Sequence, residues 1–493
     1  MSKWLWIFFL SSSLFAMPTG TYGPCKEVSP EATHLKIIET EIVVKGKTSK
    51  VFEITQASGE PALIKTEGKC FNVLLKNQTS VPTTLHWHGL IVPVLEDGVA
   101  YVTQPPIQPG KSQAYNFEIV QAGTFWMHSH FGLQEQKLMS APLILLPQDK
   151  NLYRDVIVFF EAFTFKSIKE VWLGLRKELM EMLQKKGKNW KPNLNPQRSK
   201  HAPIDLNDVS FDAFLTNRKT LENPEVQIVK AGETLRLRLI NGSVGSGFHV
   251  DLGVLHGKII AVDGNPIIPI SFNAFPLATA QRADVLVTIP EEGGVFPILA
   301  QCQGTNMRTG LILKTQKAKT PALSSVAKTT AGAITNNIEK DFHAKKPLKP
   351  RKVDRILMSE LEGNMKFYTW AINNHVWPND KPLYVKEGER VELIFVNKTP
   401  MAHPMHLHGH SFQVVEIDGE RFSGAVRDTI LVMPEQTVKI QFDANNPGIW
   451  AMHCHISYHL WAGMFTTVQY IGYTPPSFTK QQIQNYTHTY GGY

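Results

Sequence analysis

Apolar and polar residues alternate along this chain in short runs, and three of those runs are variants of one another. EGKCFNVLLKN at 67–77, AGETLRLRLIN at 231–241 and EGERVELIFVN at 387–397 each combine a Gly, an alternating stretch and a closing Asn. A period of two sends successive side chains to opposite faces, so each run predicts a half-buried β-strand. A second element recurs as well: GTFWMHSH at 123–130, GVFPILAQ at 294–301 and GIWAMHCH at 448–455 each start with Gly and place an aromatic two positions on. Two elements recurring at three places predict an all-β chain of three β-sandwich domains, over 26–148, 149–316 and 351–475. The stretch 317–350, rich in Lys, Thr, Ala and Pro, reads as a linker, and 476–493 as a C-terminal tail.

One segment breaks the pattern. In SIKEVWLGLRKELMEMLQKKGK (167–188), Ile168, Trp172, Leu175, Leu179 and Met182 recur at helical spacing, which predicts an amphipathic helix inserted in the second domain. The formal charge of +8 is concentrated there: residues 166–200 hold ten Lys or Arg against Glu170, Glu178 and Glu181. The rest of the chain is close to neutral and no aromatic-interleaved basic motif occurs, which argues against nucleic acid as a partner. The favoured reading is a surface helix whose apolar stripe is buried on the second domain. The alternative is a partial cover of a substrate cleft that also meets anionic donors or a membrane surface.

The start, MSKWLWIFFLSSSLFAMPTG, has one Lys and then an apolar run too short to span a bilayer. It reads as a signal peptide over 1–16, cut near Ala16, and no other stretch reads as a membrane span. An exported, soluble protein follows, periplasmic or extracellular, and a monomer is expected. Export permits disulfides. Of the four cysteines, Cys25 and Cys70 can pair, although spacing alone does not fix the connectivity. Cys454 is different, because it lies between His453 and His455. A thiolate flanked by imidazoles is a soft-metal ligand rather than a structural element.

The other histidines fall on the repeat. Nine and eleven residues after Asn77 come His86 and His88; after Asn397, His406 and His408; after Asn241, Val250 and Leu252. Five and seven residues after the Gly of the second element come His128 and His130, then Leu299 and Gln301, then His453 and His455. The outer domains thus carry matching His-x-His pairs and the middle domain is blank. An intervening residue on an extended segment leaves both imidazoles on one side. Eight such rings converge only if the outer domains face each other, and they require more than one metal ion. A lone His is more often structural, and His249, His256, His343, His375 and His410 are read that way.

HWHG (86–89), HSH (128–130), HPMHLHGH (403–410) and HCHISYHLWAGM (453–464) resemble the four copper-binding motifs of the multicopper oxidases, intact and in family order. Within that family the blank second domain and RDTILVMPEQTVKIQFDANNPGIW (427–450) look most like bacterial three-domain laccases and copper-resistance oxidases. The resemblance implies cupredoxin-like Greek-key domains and four copper ions. Type 1 copper would be held by His403, Cys454 and His459 with Met464 axial, and type 2 by His86 and His406. One type 3 copper would take His88, His128 and His455, the other His130, His408 and His453. Cys454 would carry electrons from the type 1 site to the cluster.

The implied activity couples one-electron oxidation of a donor to four-electron reduction of O2 to water. The donor would be a phenolic or aromatic molecule, or a metal ion such as Cu(I). Met rather than Leu or Phe at 464 resembles family members of lower potential. O2 reduction consumes protons, and Asp97 matches the family's acidic residue after the first motif; otherwise it is a turn carboxylate in EDG. Some bacterial relatives have Glu directly after the second type 1 His, where this chain has Leu460. No Met-rich run is present despite 14 Met. A copper-resistance protein with incidental oxidase turnover is the alternative function. Copper nitrite reductase is excluded, since it has no trinuclear cluster.

Overall fold

The computed structural model describes residues 25, 32–149, 152–187, 189–195, 205–478 and 482–483. The expected signal peptide lies outside these, as does most of the expected tail.

Each repeat unit becomes a pair of sheets. In the first domain the sheet Lys47–Gln56, Thr33–Val44, Cys70–Asn77, Ser112–Glu118 is joined by Leu63–Thr66, Ser140–Leu146, Gly123–His128, His86–His88. Sheets of six and five strands make the second domain, and sheets of seven and five the third. Alternation explains the strands: in Cys70–Asn77, Phe71, Val73 and Leu75 are fully buried and intervening residues are not. Phe71 stacks on Phe117 at 4.5 Å and meets the edge of Trp87 at 4.8 Å. Burying each such side chain contributes roughly 1.5–3 kcal/mol.

The closing Asn of each repeat has a definite task. Asn77 donates to the carbonyls of Val81 and Ile107, and its Oδ1 accepts from the backbone and hydroxyl of Thr79. Asn241 does the same with Ser246, Leu277 and Ser243, and Asn397 with Met401, Val432 and Thr399. All three are buried, so their amides complete backbone bonds that the turn would otherwise leave open. The same turn therefore delivers the next strand at the same place in every domain. In the first and third domains that strand bears histidines at the counted positions, and in the second Val250 (buried in the core) takes the first of them.

The stretch 317–350 is packed: Ile334, Asn336, Glu339, Phe342 and Ala344 are buried, and Asn337–Asp341 forms a 3-10 turn. Cys25 and Cys70 form a disulfide, tying residue 25 to the first domain. Cys302 and Cys454 are free and buried.

The insert departs from expectation in two ways. The single helix is two, Ile168–Leu175 and Lys177–Lys186, separated by Arg176 at φ −103° and ψ 12°. Gly174 weakens the helix just before the break, and Arg176 turns so that its guanidinium lies over the Trp172 ring at 5.0 Å. Nor does the segment rest on the second domain alone. Farther along, the Trp190 ring meets Phe367 at 5.1 Å, Asn364 donates to the Asn193 carbonyl, and Asn195 donates to Glu362. The insert is fastened to the third domain.

Candidate metal centre

Strand register assembles the histidines. His86–His88 pairs antiparallel with Gly123–His128 so that His86 lies opposite His128. His403–Leu407 pairs with Ile449–Cys454, which sets His406 opposite His453 and Met405 opposite Cys454. The first and third domains meet across these edges, and the imidazoles form compact groups: His88, His128 and His455; His130, His408 and His453; His86, His88 and His406. In the second group the Nε2 atoms of His130 and His408 stand 3.2 and 3.0 Å from that of His453. His88 Nδ1 faces His455 Nε2 at 3.2 Å.

A separate group joins His403, Cys454 and His459. The two Nδ1 atoms are 3.1 Å apart, and Cys454 Sγ lies 3.5 and 3.6 Å from them. Met464 is buried, and its carbonyl accepts from the Cys454 N–H at 3.2 Å. His403 turns its other nitrogen to Thr399 Oγ1 at 2.6 Å, so the hydroxyl that the Asn397 turn positions also orients this ring. Trp370 packs on His459 with ring centroids 4.0 Å apart.

These residues fit a metal. The Nε2 atoms of His86, His128 and His406 are buried without a hydrogen-bond partner, a costly arrangement that a cation relieves. Burial, reinforced by neighbouring imidazoles, holds His88, His130, His403, His406, His408 and His455 well below the ordinary 6.5, and His453 at about 3. The rings are thus neutral, the form that binds metal. Burial pushes the Cys454 thiol well above its usual range, so loading a metal there must release a proton.

Carboxylates orient the rings. Asp97 is 1% exposed. Its carbonyl accepts from His86 Nδ1 at 2.8 Å, and its Oδ2 accepts from His408 Nδ1 at 3.0 Å. The turn that carries it needs Gly98, at φ +81°, because a Cβ there would lie 1.9 Å from the Leu85 carbonyl oxygen. Three further acidic residues escaped the reading of the sequence. Asp428 Oδ1 accepts from His88 Nε2 at 3.1 Å, and its carbonyl from His406 Nδ1 at 2.8 Å. Glu135 Oε1 lies 3.1 Å from His128 Nδ1, and its other oxygen accepts from the Ser457 hydroxyl. Both line a small, water-sized cavity beside His130 and His453, with Leu460 in its wall. Asp208, which follows the insert, reaches His459 Nε2 at 2.9 Å. Glu135 lay five residues beyond HSH and offered a faint signal; Asp208 offered none.

Among the described residues, His249, His256, His343, His375 and His410 belong to none of the metal-sized groups. His343 donates to the Ser423 carbonyl, and His410 bonds the Tyr470 hydroxyl at 2.7 Å.

Multicopper oxidase family profiles match residues 36–150, 185–321 and 350–471. A multicopper oxidase, MmcO of Mycobacterium tuberculosis, is 30% identical over 83% of this chain and 81% of its own. A copper resistance protein A homolog of Pseudomonas syringae pv. tomato is 25% identical over 88% and 91%. The crystal structure of Fet3p, a multicopper oxidase that functions in iron import, superposes with a TM-score of 0.73 at 18% identity, covering 89% of this chain and 90% of that one. The chain belongs to the multicopper oxidase family. It is a copper-dependent oxidoreductase that takes electrons from a donor and passes them to O2. A role as a copper-binding protein with incidental turnover is not favoured.

Proposed function

We propose that the chain holds four copper ions and oxidises a reduced metal ion such as Cu(I). His403, Cys454, His459 and Met464 would hold the type 1 ion, and His86 and His406 the type 2 ion. His88, His128 and His455 would hold one type 3 ion, and His130, His408 and His453 the other. The observation that carries this reading is the grouping of four buried sets of proposed ligands, two of them reached from Cys454 through the adjacent residues His453 and His455. Copper at these positions would supply four one-electron carriers, the number that reduces O2 to two waters.

The protein's part is positional. Cys454 offers a covalent route in both chain directions. Asp97 bonds the rings of both domains, and it supplies protons to the enclosed pocket; Glu135, opening on the water-sized cavity, does so where Leu460 cannot. Asp208 supports the choice of donor. The His459 edge that an aromatic donor would touch is sealed by Asp208, Tyr368 and Trp370, and His459 has no exposed surface. A carboxylate at that edge favours a cation that delivers an electron through it over a ring that must stack on the histidine. Export of a monomer fits the Cys25–Cys70 bridge, since such bonds persist outside the cytosol. Among the described residues no helix is long and apolar enough to cross a membrane.

Metal analysis together with O2 uptake on Cu(I), Fe(II) and a panel of phenols tests the proposal. Four coppers per chain and the highest kcat/KM for a metal ion are expected. A phenol as the best donor would overturn the substrate assignment, and fewer than four coppers in the active protein would overturn the ligand assignment.

A further inference from the structure

Arg282 belongs to the domain that carries no ligand histidine, yet it is fully buried and touches all three domains. Its Nε donates to the Thr124 carbonyl in the first domain at 3.2 Å, and Nη1 to the Ala280 carbonyl in its own at 3.0 Å. Both terminal nitrogens grip Asp428 of the third domain, Nη1 reaching Oδ1 at 2.7 Å. The set extends outward. Asp263 accepts from the Arg282 backbone at 2.9 Å and from Arg427 at 3.0 Å, and Arg427 forms a two-point pair with Glu339 at 2.9 and 2.7 Å. Two guanidiniums and three carboxylates are thereby enclosed with every charge partnered.

We propose that Arg282 is a positioning residue that dictates which nitrogen His88 and His406 present to copper; this rests on the ligand assignment above. The planar fork fixes the plane of the Asp428 carboxylate, as a lysine's point charge would not. So fixed, Oδ1 accepts from His88 Nε2, and the hydroxyl of Thr429 donates to the same oxygen at 2.8 Å. His88 is left with Nδ1 facing the pocket. The carbonyl of the same Asp428 accepts a hydrogen bond from His406 Nδ1–H, which leaves Nε2 facing the pocket. One anchored residue therefore selects opposite tautomers for two rings, an outer-shell control of ligand orientation. The backbone beside His88 bears this out. Gly89 sits at φ +86°, and a Cβ there would come within 2.4 Å of Arg282 Nη2 and 2.6 Å of Asp428 Oδ2. The Gly of HWHG is the space in which the ion pair lies.

The test is Arg282→Lys, loaded with copper beside the wild type. We expect an unchanged type 1 blue band and an altered type 2 electron paramagnetic resonance signal. Retention of cluster copper against a chelator should fall about 10–100-fold. Wild-type resonance and retention in R282K would overturn the proposal. Should R282K fail to fold, the charge-balanced Arg282→Met, Asp428→Asn pair decides. It strands no charge, so a purely structural ion pair predicts wild-type copper retention, and a positioning role predicts the same loss as before. Failure of the wild type itself to hold cluster copper would instead defeat the ligand assignment.

Discussion

The carboxylate of Asp208 lies 2.9 Å from His459 Nε2 and accepts the Tyr368 hydroxyl at 2.7 Å. A charge from the second domain thus sits on the outer edge of the proposed type 1 ligand, where the proposed electron route from the donor would pass. Asp208→Asn should leave the blue band in place and slow anaerobic reduction of the type 1 site by Cu(I) by about 10–100-fold. That range corresponds to the roughly 1.5–3 kcal/mol of a charged hydrogen bond. Stopped-flow reduction, with a neutral phenol as control, measures it; equal loss for both donors would point to a structural effect.

Cys454→Ser should abolish the blue band and nearly all turnover, because no other thiolate is at hand: Cys302, the other free cysteine, is outside the metal-sized groups among the described residues. Copper bound by the remaining histidine groups should stay. Absorption spectra and metal analysis check both halves, and a blue C454S protein would refute the type 1 assignment.

Asp97→Asn and Glu135→Gln divide the supply of protons. Either change should spare reduction of the type 1 site and slow reoxidation by O2, on the order of 10²–10⁴-fold where the group acts directly. The larger loss is expected for Asp97, which bonds rings from both outer domains. Rapid mixing of the reduced protein with O2 gives the rates, and unaltered kinetics in D97N would return Asp97 to a turn role.

Acid should destabilise the copper-free protein. Burial depresses His453 to about 3 and His410 to about 4, from an ordinary 6.5. The unfolded chain therefore takes up protons that the folded chain refuses, and stability falls as pH drops through 6.5 towards 4. His410 alone accounts for up to about 3 kcal/mol. Melting temperatures of the metal-free protein between pH 8 and 4 should decline below 6.5, and copper, which fixes the rings as neutral ligands, should amplify the slope. A flat profile would contradict the depressed values.

Eight of the histidines were legible because each sits at a fixed count from a repeated Asn or Gly. The structure explains the count from the Asn: the turn sets the strand and the strand sets the ring. His403 and His459 came from the family resemblance alone. The three-sandwich fold was legible from the same alternation. What escaped was whatever depends on closure between domains. Asp208, Glu135, Asp428 and Arg282 gain their meaning from partners in other domains, and a lone carboxylate in a strand or loop carries no local mark of that. The residues that follow the insert's helices show the same limit. The helical period was real, but periodicity reports that a stripe is apolar without naming the surface it meets, and Trp190 and Asn195 meet the third domain.

His130 and His453 face each other at 3.2 Å although 323 positions separate them in the chain. In the three histidine groups that join the outer domains, the first-domain histidines are synthesised long before the third-domain ones, and the His403, Cys454, His459 group comes wholly from the third. A nascent chain can present only the pairs from its first domain, without the thiolate of Cys454. On the proposed ligand assignment no group is complete until the last domain has been made and docked, so a metal entering there would seal a finished assembly rather than nucleate it.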